Sequence, residues 1–299
     1  MPTRTFSTQG GPVDLAGTLF PLRRGHRDPT WAIRGAEALL ASRSAQGPAT
    51  LHLRTEGVVV RAEAWGPGAA EVLDGAPDLV GAADTAEGFV PRDDVVADLW
   101  RRHRGIRMTR TPRIMPALIA AILEQKVTGL QAREGWRGLV SATSEHAPGP
   151  GGLWLPPDPA RVAALPYFAF HRFGIERKRA DLIRAVCSRA GRFEALSPLA
   201  PADAQARMQA HRGIGPWTAA EVARLAMGDA DAVSVGDYHL PNLVSWMLAG
   251  EPRGTDERML QLLEPYRGHR GRVQALLEAG GASAPKFGPR SEVPSIARI

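Results

Sequence analysis

Ala210-His-Arg-Gly-Ile-Gly-Pro-Trp-Thr-Ala-Ala-Glu221 joins two helical stretches through Gly213-Ile214-Gly215. Both glycines can take positive φ, and neither carries a side chain that would hold a ligand off. Pro216 suits the first turn of the following helix, where its missing N–H costs nothing. The free N–H groups of the turn and of the helix start would point outward together, a ready seat for a phosphate oxygen. Ile214 is expected to pack inward and pin the turn. Taken alone, a Gly-x-Gly before a helix is more often the mark of a plain helix–helix connection.

The sequence that follows adds weight. Asp237 stands 22 positions after Gly215, in Ala232-Val-Ser-Val-Gly-Asp-Tyr-His-Leu240. An apolar run and a glycine precede the acid, and a helix is expected from Leu240. Aspartate is a common helix N-cap, and that role does not exclude catalysis. The dipole and free amides of a helix start favour a carboxylate's charged form. A charged carboxylate can stabilise an oxocarbenium-like sugar cation or orient water, the logic of glycoside hydrolysis.

Working outward, the chain reads as helix after helix from Thr111. Ile114, Leu118 and Ile122 form one row and Met115, Ile119 and Leu123 an adjacent one, a broad core-facing stripe. Pro112 and Pro116 mark its start and first turn. Further helices are expected at 130–143, 177–190, 201–210, 216–227, 240–249, 256–263 and 270–278, with a Pro/Gly-rich loop over 147–159.

The first hundred residues read as strand-rich. Thr50-Leu-His-Leu-Arg54 leads through a Thr55-Glu-Gly turn into Val58–Trp65, where Val58, Val60, Ala62 and Ala64 share one face. That alternation predicts a half-buried antiparallel strand, part of a short meander with helical cover over about 68–79. The expected class is α+β: a small antiparallel β-rich domain over 1–110, an all-α domain over 111–280 and a flexible tail over 281–299.

Bulk properties narrow the function. The 299 residues carry a net charge of +6 and a pI of about 10.2, a balance that favours a polyanion such as nucleic acid. The single cysteine, Cys187, excludes an intrachain disulfide and a four-thiolate metal or iron–sulfur site; its apolar neighbours mark it as core. No apolar stretch is long enough to cross a bilayer, and residues 1–10 lack a signal-peptide core, so a cytoplasmic protein is expected. The lysines are Lys126, Lys178 and Lys286, so few amines are offered for Schiff-base chemistry. The acidic pairs Asp93-Asp94 and Asp229/Asp231 read as caps or solvated faces, without a histidine at ligand spacing.

Gly213-Ile-Gly-Pro-Trp-Thr-Ala219 and Val235-Gly-Asp-Tyr238 together resemble the helix-hairpin-helix DNA glycosylase superfamily, and within it 3-methyladenine DNA glycosylase II. Ala121-Ile-Leu-Glu-Gln-Lys-Val-Thr128, Phe173-Gly-Ile-Glu-Arg-Lys-Arg-Ala180 and Pro265-Tyr-Arg267 match in the same order, so the likeness spans roughly 111–280. It implies an enzyme that hydrolyses the N-glycosidic bond of alkylated purines in duplex DNA, in base excision repair. Asp237 falls on the catalytic position. Trp217 and Tyr238 are candidates for the base pocket. Gln125, Lys126, Arg212, Gly213, Ile214, Gly215 and Thr218 are candidates for DNA binding. Lyase-active relatives carry their Schiff-base lysine where this chain has Trp217, which implies monofunctional action.

Three departures stand out. Lys126 replaces the apolar wedge residue and reads first as a phosphate contact. The hairpin entry is His211-Arg212 instead of Leu-Pro. The helix after Pro265-Tyr-Arg267 has no aromatic residue. The partner expected is damaged double-stranded DNA, met by a monomer. No cofactor is expected, apart from a monovalent cation that the hairpin backbone could hold. Two other readings stay open: a non-catalytic DNA-binding protein of this fold, and a glycosylase-lyase using Lys126.

Overall fold

The computed structural model describes residues 2–111 and 113–285. Pro112, Lys286 and most of the expected tail lie outside them. The class is α+β, as expected. Strands β1 (Thr3–Ser7), β2 (Trp31–Arg34), β3 (Glu37–Ser44), β4 (Gly47–Glu56) and β5 (Val59–Trp65) form one antiparallel sheet in the order β1-β5-β4-β3-β2. Register is fixed by tight hairpins that pair Ser44 with Gly47 and Glu56 with Val59. Val58 therefore belongs to a two-residue turn and is exposed, whereas the sequence placed it on the buried face with Val60, Ala62 and Ala64. The strands β1 and β2 at the two edges were not anticipated. Helices α1 (Leu15–Leu19), α2 (Ala69–Asp74) and α3 (Ala76–Leu79) supply further residues of the same apolar core.

The remaining helices are α4 (Asp94–Arg102), α5 (Met115–Glu124), α6 (Gly129–Thr143), α7 (Pro159–Ala164), α8 (Tyr167–His171), α9 (Arg177–Cys187), α10 (Ala190–Glu194), α11 (Pro201–Gln209), α12 (Pro216–Ala226), α13 (Leu240–Ala249), α14 (Asp256–Leu263) and α15 (Arg270–Ala279). The helix expected to run to 190 ends at Cys187, and a turn through Ser188-Arg189 starts α10. The sequence reading did not include α4, α7, α8 and α10; the last three have five or six residues and bury one each, whereas α4 carries Val95, Val96, Leu99 and Trp100 at helical spacing.

Both apolar rows of α5 are buried, since this helix packs against α6, α9 and α12 at once. Its start is capped from a distance: the amides of Ile114 and Met115 donate to the Glu194 carboxylate at 2.7 and 3.2 Å. A Thr128/Gln131 capping box begins α6. The second helical core joins α4 to α13, α14 and α15. Cys187 is buried, and desolvation pushes its thiol up to about 12, consistent with an inert core residue. Asp84 ties the segment after α3 to α15 through a paired contact with Arg272 (2.7 and 3.1 Å).

Candidate active site and nucleic-acid interface

The hairpin between α11 and α12 adopts the turn read from its glycines. Gly213 has φ +97°, and a Cβ there would stand 3.0 Å from both methyl carbons of Leu182. Ile214 is buried and pins the turn from below. The N–H groups of Gly213 and Gly215 make no hydrogen bond among the described residues, so both remain free to receive an anion. Arg212 is exposed beside them.

Gln125, at the C-terminal end of α5, stitches the hairpin to the core. Its amide donates to the Gly213 carbonyl (3.2 Å) and to the Thr218 hydroxyl (2.9 Å). Thr218 is buried, so its side chain supports the turn from inside. Lys126 follows at φ +56°, in the left-handed region that a lysine rarely enters, and it is exposed. Leu130, 58% exposed, is the second residue of the next helix.

Asp237 lies just before α13 and faces three donors. Its Oδ1 accepts from the amides of His239 (2.7 Å) and Leu240 (2.8 Å). Its Oδ2 accepts from the Trp217 indole N–H (3.0 Å). The carboxylate is thus bound on one side by the start of α13 and on the other by the helix that leaves the hairpin. The carboxyl group is partly exposed. Trp217 is half-buried against the helical core. Tyr238 is different: it is 84% exposed, with its ring set edge-on to His239. The structure thus joins Asp237 to Trp217 and Gln125 to the hairpin, and leaves Tyr238 out in solvent.

A cavity of about 520 Å³ is walled by the α1 region, the segment after α4, the end of α5, the start of α6, α12 and α15. Its walls are charged. Arg224 donates to Glu221 (3.1 Å) and Glu278 (3.2 Å), and Glu221 also receives the Ser234 hydroxyl. Gln274 donates to Ser234 (3.1 Å) and to Glu278 (2.9 Å), sewing the Asp237 loop to α15. Burial works against Arg224's charge, but Glu221 and Glu278 outweigh it and raise its pKa. Burial also pushes Glu278 up, against the pull of Arg224. Burial raises Glu124 in the same way, opposed by Arg24 at 3.6 Å.

The sequence reading missed this cluster. A signal existed: α12 is apolar on all sides except for Glu221 and Arg224, and charges on a buried helix must be paired. The acidic pairs are structural, with Asp93 receiving the Tyr266 hydroxyl (2.5 Å) and Asp231 paired to Arg270 (2.6 Å). Among the described residues no group of three His, Cys, Asp or Glu side chains is set to hold a metal, and no helix is long and apolar enough to cross a membrane.

No family model and no curated protein matches the sequence. The fold does match solved structures. A 3-methyladenine DNA glycosylase from Archaeoglobus fulgidus superposes with a TM-score of 0.78 at 15% identity, over 92% of this chain and 97% of that one. A Clostridium acetobutylicum 8-oxoguanine glycosylase/lyase, bound to double-stranded DNA with cytosine opposite 8-oxoguanine, gives 0.68 at 13% identity over 93% and 97%. The Schizosaccharomyces pombe 3-methyladenine DNA glycosylase Mag1, bound to abasic DNA, gives 0.54 at 14% identity over 66% and 96%. The chain therefore has the fold of the helix-hairpin-helix DNA glycosylases.

Proposed function

We propose that the chain is a monofunctional DNA glycosylase that hydrolyses the N-glycosidic bond of alkylated purines in duplex DNA, a step of base excision repair. The observation that carries this reading is the Asp237 carboxylate, fixed by three N–H donors, one of them from Trp217 in the first turn of the helix that leaves a hairpin with two free amides. Those amides take a phosphate oxygen, with Arg212 and Lys126 adding charge, and position the strand without reading its sequence. The damaged nucleotide is everted at a cost of about a few kcal/mol, least for a weakened pair. As the bond from C1′ to the base nitrogen breaks, its electron pair leaves with the base. An alkylated purine cation departs neutral, so little acid catalysis is needed. Asp237 stabilises the sugar cation while water adds to C1′ and releases a proton. Trp217 supports a hydrolytic course, because it occupies the hairpin position with a side chain that has no amine.

Asp237→Asn tests the reading. The variant is expected to bind lesion duplex as the wild type does and to release no free base. Full excision by the variant removes Asp237 from the role. Strand cleavage is scored separately on the same duplexes: intact strands are expected, and borohydride trapping of the protein on DNA, abolished in a Lys126 variant, would establish the lyase course instead.

A further inference from the structure

We propose that the charged cavity receives the everted base and that Glu124 reads the N1–H and N2–H donors of a guanine-type base, making it a specificity-determining residue. The proposal rests on the glycosylase reading of Asp237. Its location follows from α12: Glu221 stands four residues after Trp217, one helical turn along the same face, and Trp217 holds Asp237. On the far wall, Glu124 immediately precedes Gln125, the residue that binds the hairpin. The cavity is thus bounded by the two elements that hold the carboxylate and the phosphate seat. Its size, about 520 Å³, is that of a small-molecule site.

The walls then select the ligand's chemistry. Among the described residues that line the cavity, Phe20 and His103 are the aromatic ones. A cage of electron-rich rings around a cationic base is therefore not what this cavity offers. It offers an unmatched carboxylate. The Glu124 carboxylate accepts no hydrogen bond among the described residues; its nearest charge is Arg24 Nη1, at 3.6 Å and beyond hydrogen-bond range.

The site therefore calls for a ligand with two adjacent donors. Guanine presents O6, N1–H and N2–H on one edge, and a carboxylate accepts two parallel N–H groups well. Adenine presents one amino group beside a ring acceptor and leaves one Glu124 oxygen unmatched. Within the alkylated purines, the guanine series fits.

The test uses the full chain and single-lesion duplexes bearing 7-methylguanine, 3-methyladenine or 7-methylhypoxanthine, with each rate divided by the non-enzymatic loss of the same base. The wild type is expected to favour 7-methylguanine over 3-methyladenine by about tenfold, and over 7-methylhypoxanthine, which lacks the 2-amino group, by a similar factor. Glu124→Gln, which keeps one acceptor oxygen, is expected to shrink both ratios by about tenfold. Equal wild-type rates on the guanine and adenine lesions overturn the proposal with no variant needed, as do ratios that Glu124→Gln leaves in place. Release of no base from any duplex overturns the glycosylase reading itself.

Discussion

Replacing Trp217 with phenylalanine isolates what one hydrogen bond contributes to the candidate site. The indole N–H donates to Asp237 Oδ2 at 3.0 Å, while the amides of His239 and Leu240 hold Oδ1. Phenylalanine keeps a ring against the helical core and loses only the donor and some bulk. A hydrogen bond to a charged group is worth about 1.5–3 kcal/mol. If that energy serves to aim the carboxylate at the sugar, the excision rate falls by roughly 10- to 150-fold, at 1.4 kcal/mol per tenfold. Asp237 keeps its charge and its two backbone contacts, so the loss stays well short of that in Asp237→Asn. Single-turnover excision with enzyme in excess over lesion duplex measures the rate, and a parallel titration measures Kd. A rate within twofold of wild type, or a loss confined to Kd, refutes the positioning role.

Two further outcomes follow from the same geometry. Lys126→Ala is expected to weaken binding to damaged and undamaged duplex alike and to reduce the slope of log K against log salt by about 0.9 for each phosphate that the lysine neutralises; an unchanged slope shows that Lys126 does not touch the backbone. Asp84 is half-buried, which alone would raise its pKa, but the Arg272 pair and the amides of Met108 and Ala86 prevail and hold it below the usual carboxylate range. A depressed carboxylate stabilises the fold above its unfolded pKa, near 3.9, and loses that contribution as pH falls through its folded value. Asp84→Ala is therefore expected to cost about 3–5 kcal/mol at pH 7, because it leaves Arg272 buried without its partner. In melts taken down to pH 3 the gap from wild type should narrow below pH 4; a constant gap shows that the pair is not the source.

Much of the fold could be read from the sequence because its helices repeat their apolar residues over several turns. Helices α13 and α14 begin and end where the periodicity says, and of the two hairpin glycines Gly213 takes a positive φ while Gly215 is extended. The sheet was half legible. Alternation marks β5 clearly, but the edge strands β1 and β2 are short and only partly buried, so their residues carry no alternation to read. Helices α7, α8 and α10 bury one residue each, too few to show a period, whereas the period of α4 was present in Val95, Val96, Leu99 and Trp100. Asp237 and Trp217 were readable as candidates from their places in a local motif, although the bond between them spans two segments and is a fact of packing alone. The exposure of Tyr238 was not readable: an aromatic residue beside a candidate acid reads equally as wall or as surface.

The charged cavity was hidden for a different reason, and that reason bears on function. Glu124, Glu221 and Glu278 sit on three helices, and nothing in the spacing of the sequence says that the three meet. Only α12 links them to the motif. Its first turn leaves the hairpin, its second residue holds Asp237, and Glu221 and Arg224 follow at four and seven residues on the same face. One rigid helix thus sets the spacing from phosphate seat to carboxylate to cavity wall. A shift of α12 along its axis would move all three together, so the wall can change its side chains without disturbing the distance between the hairpin and Asp237. Selectivity at Glu221 and Glu124 is in this way separable from the chemistry at Asp237: substitutions in the wall should alter which base leaves, and substitutions at Trp217 how fast any base leaves.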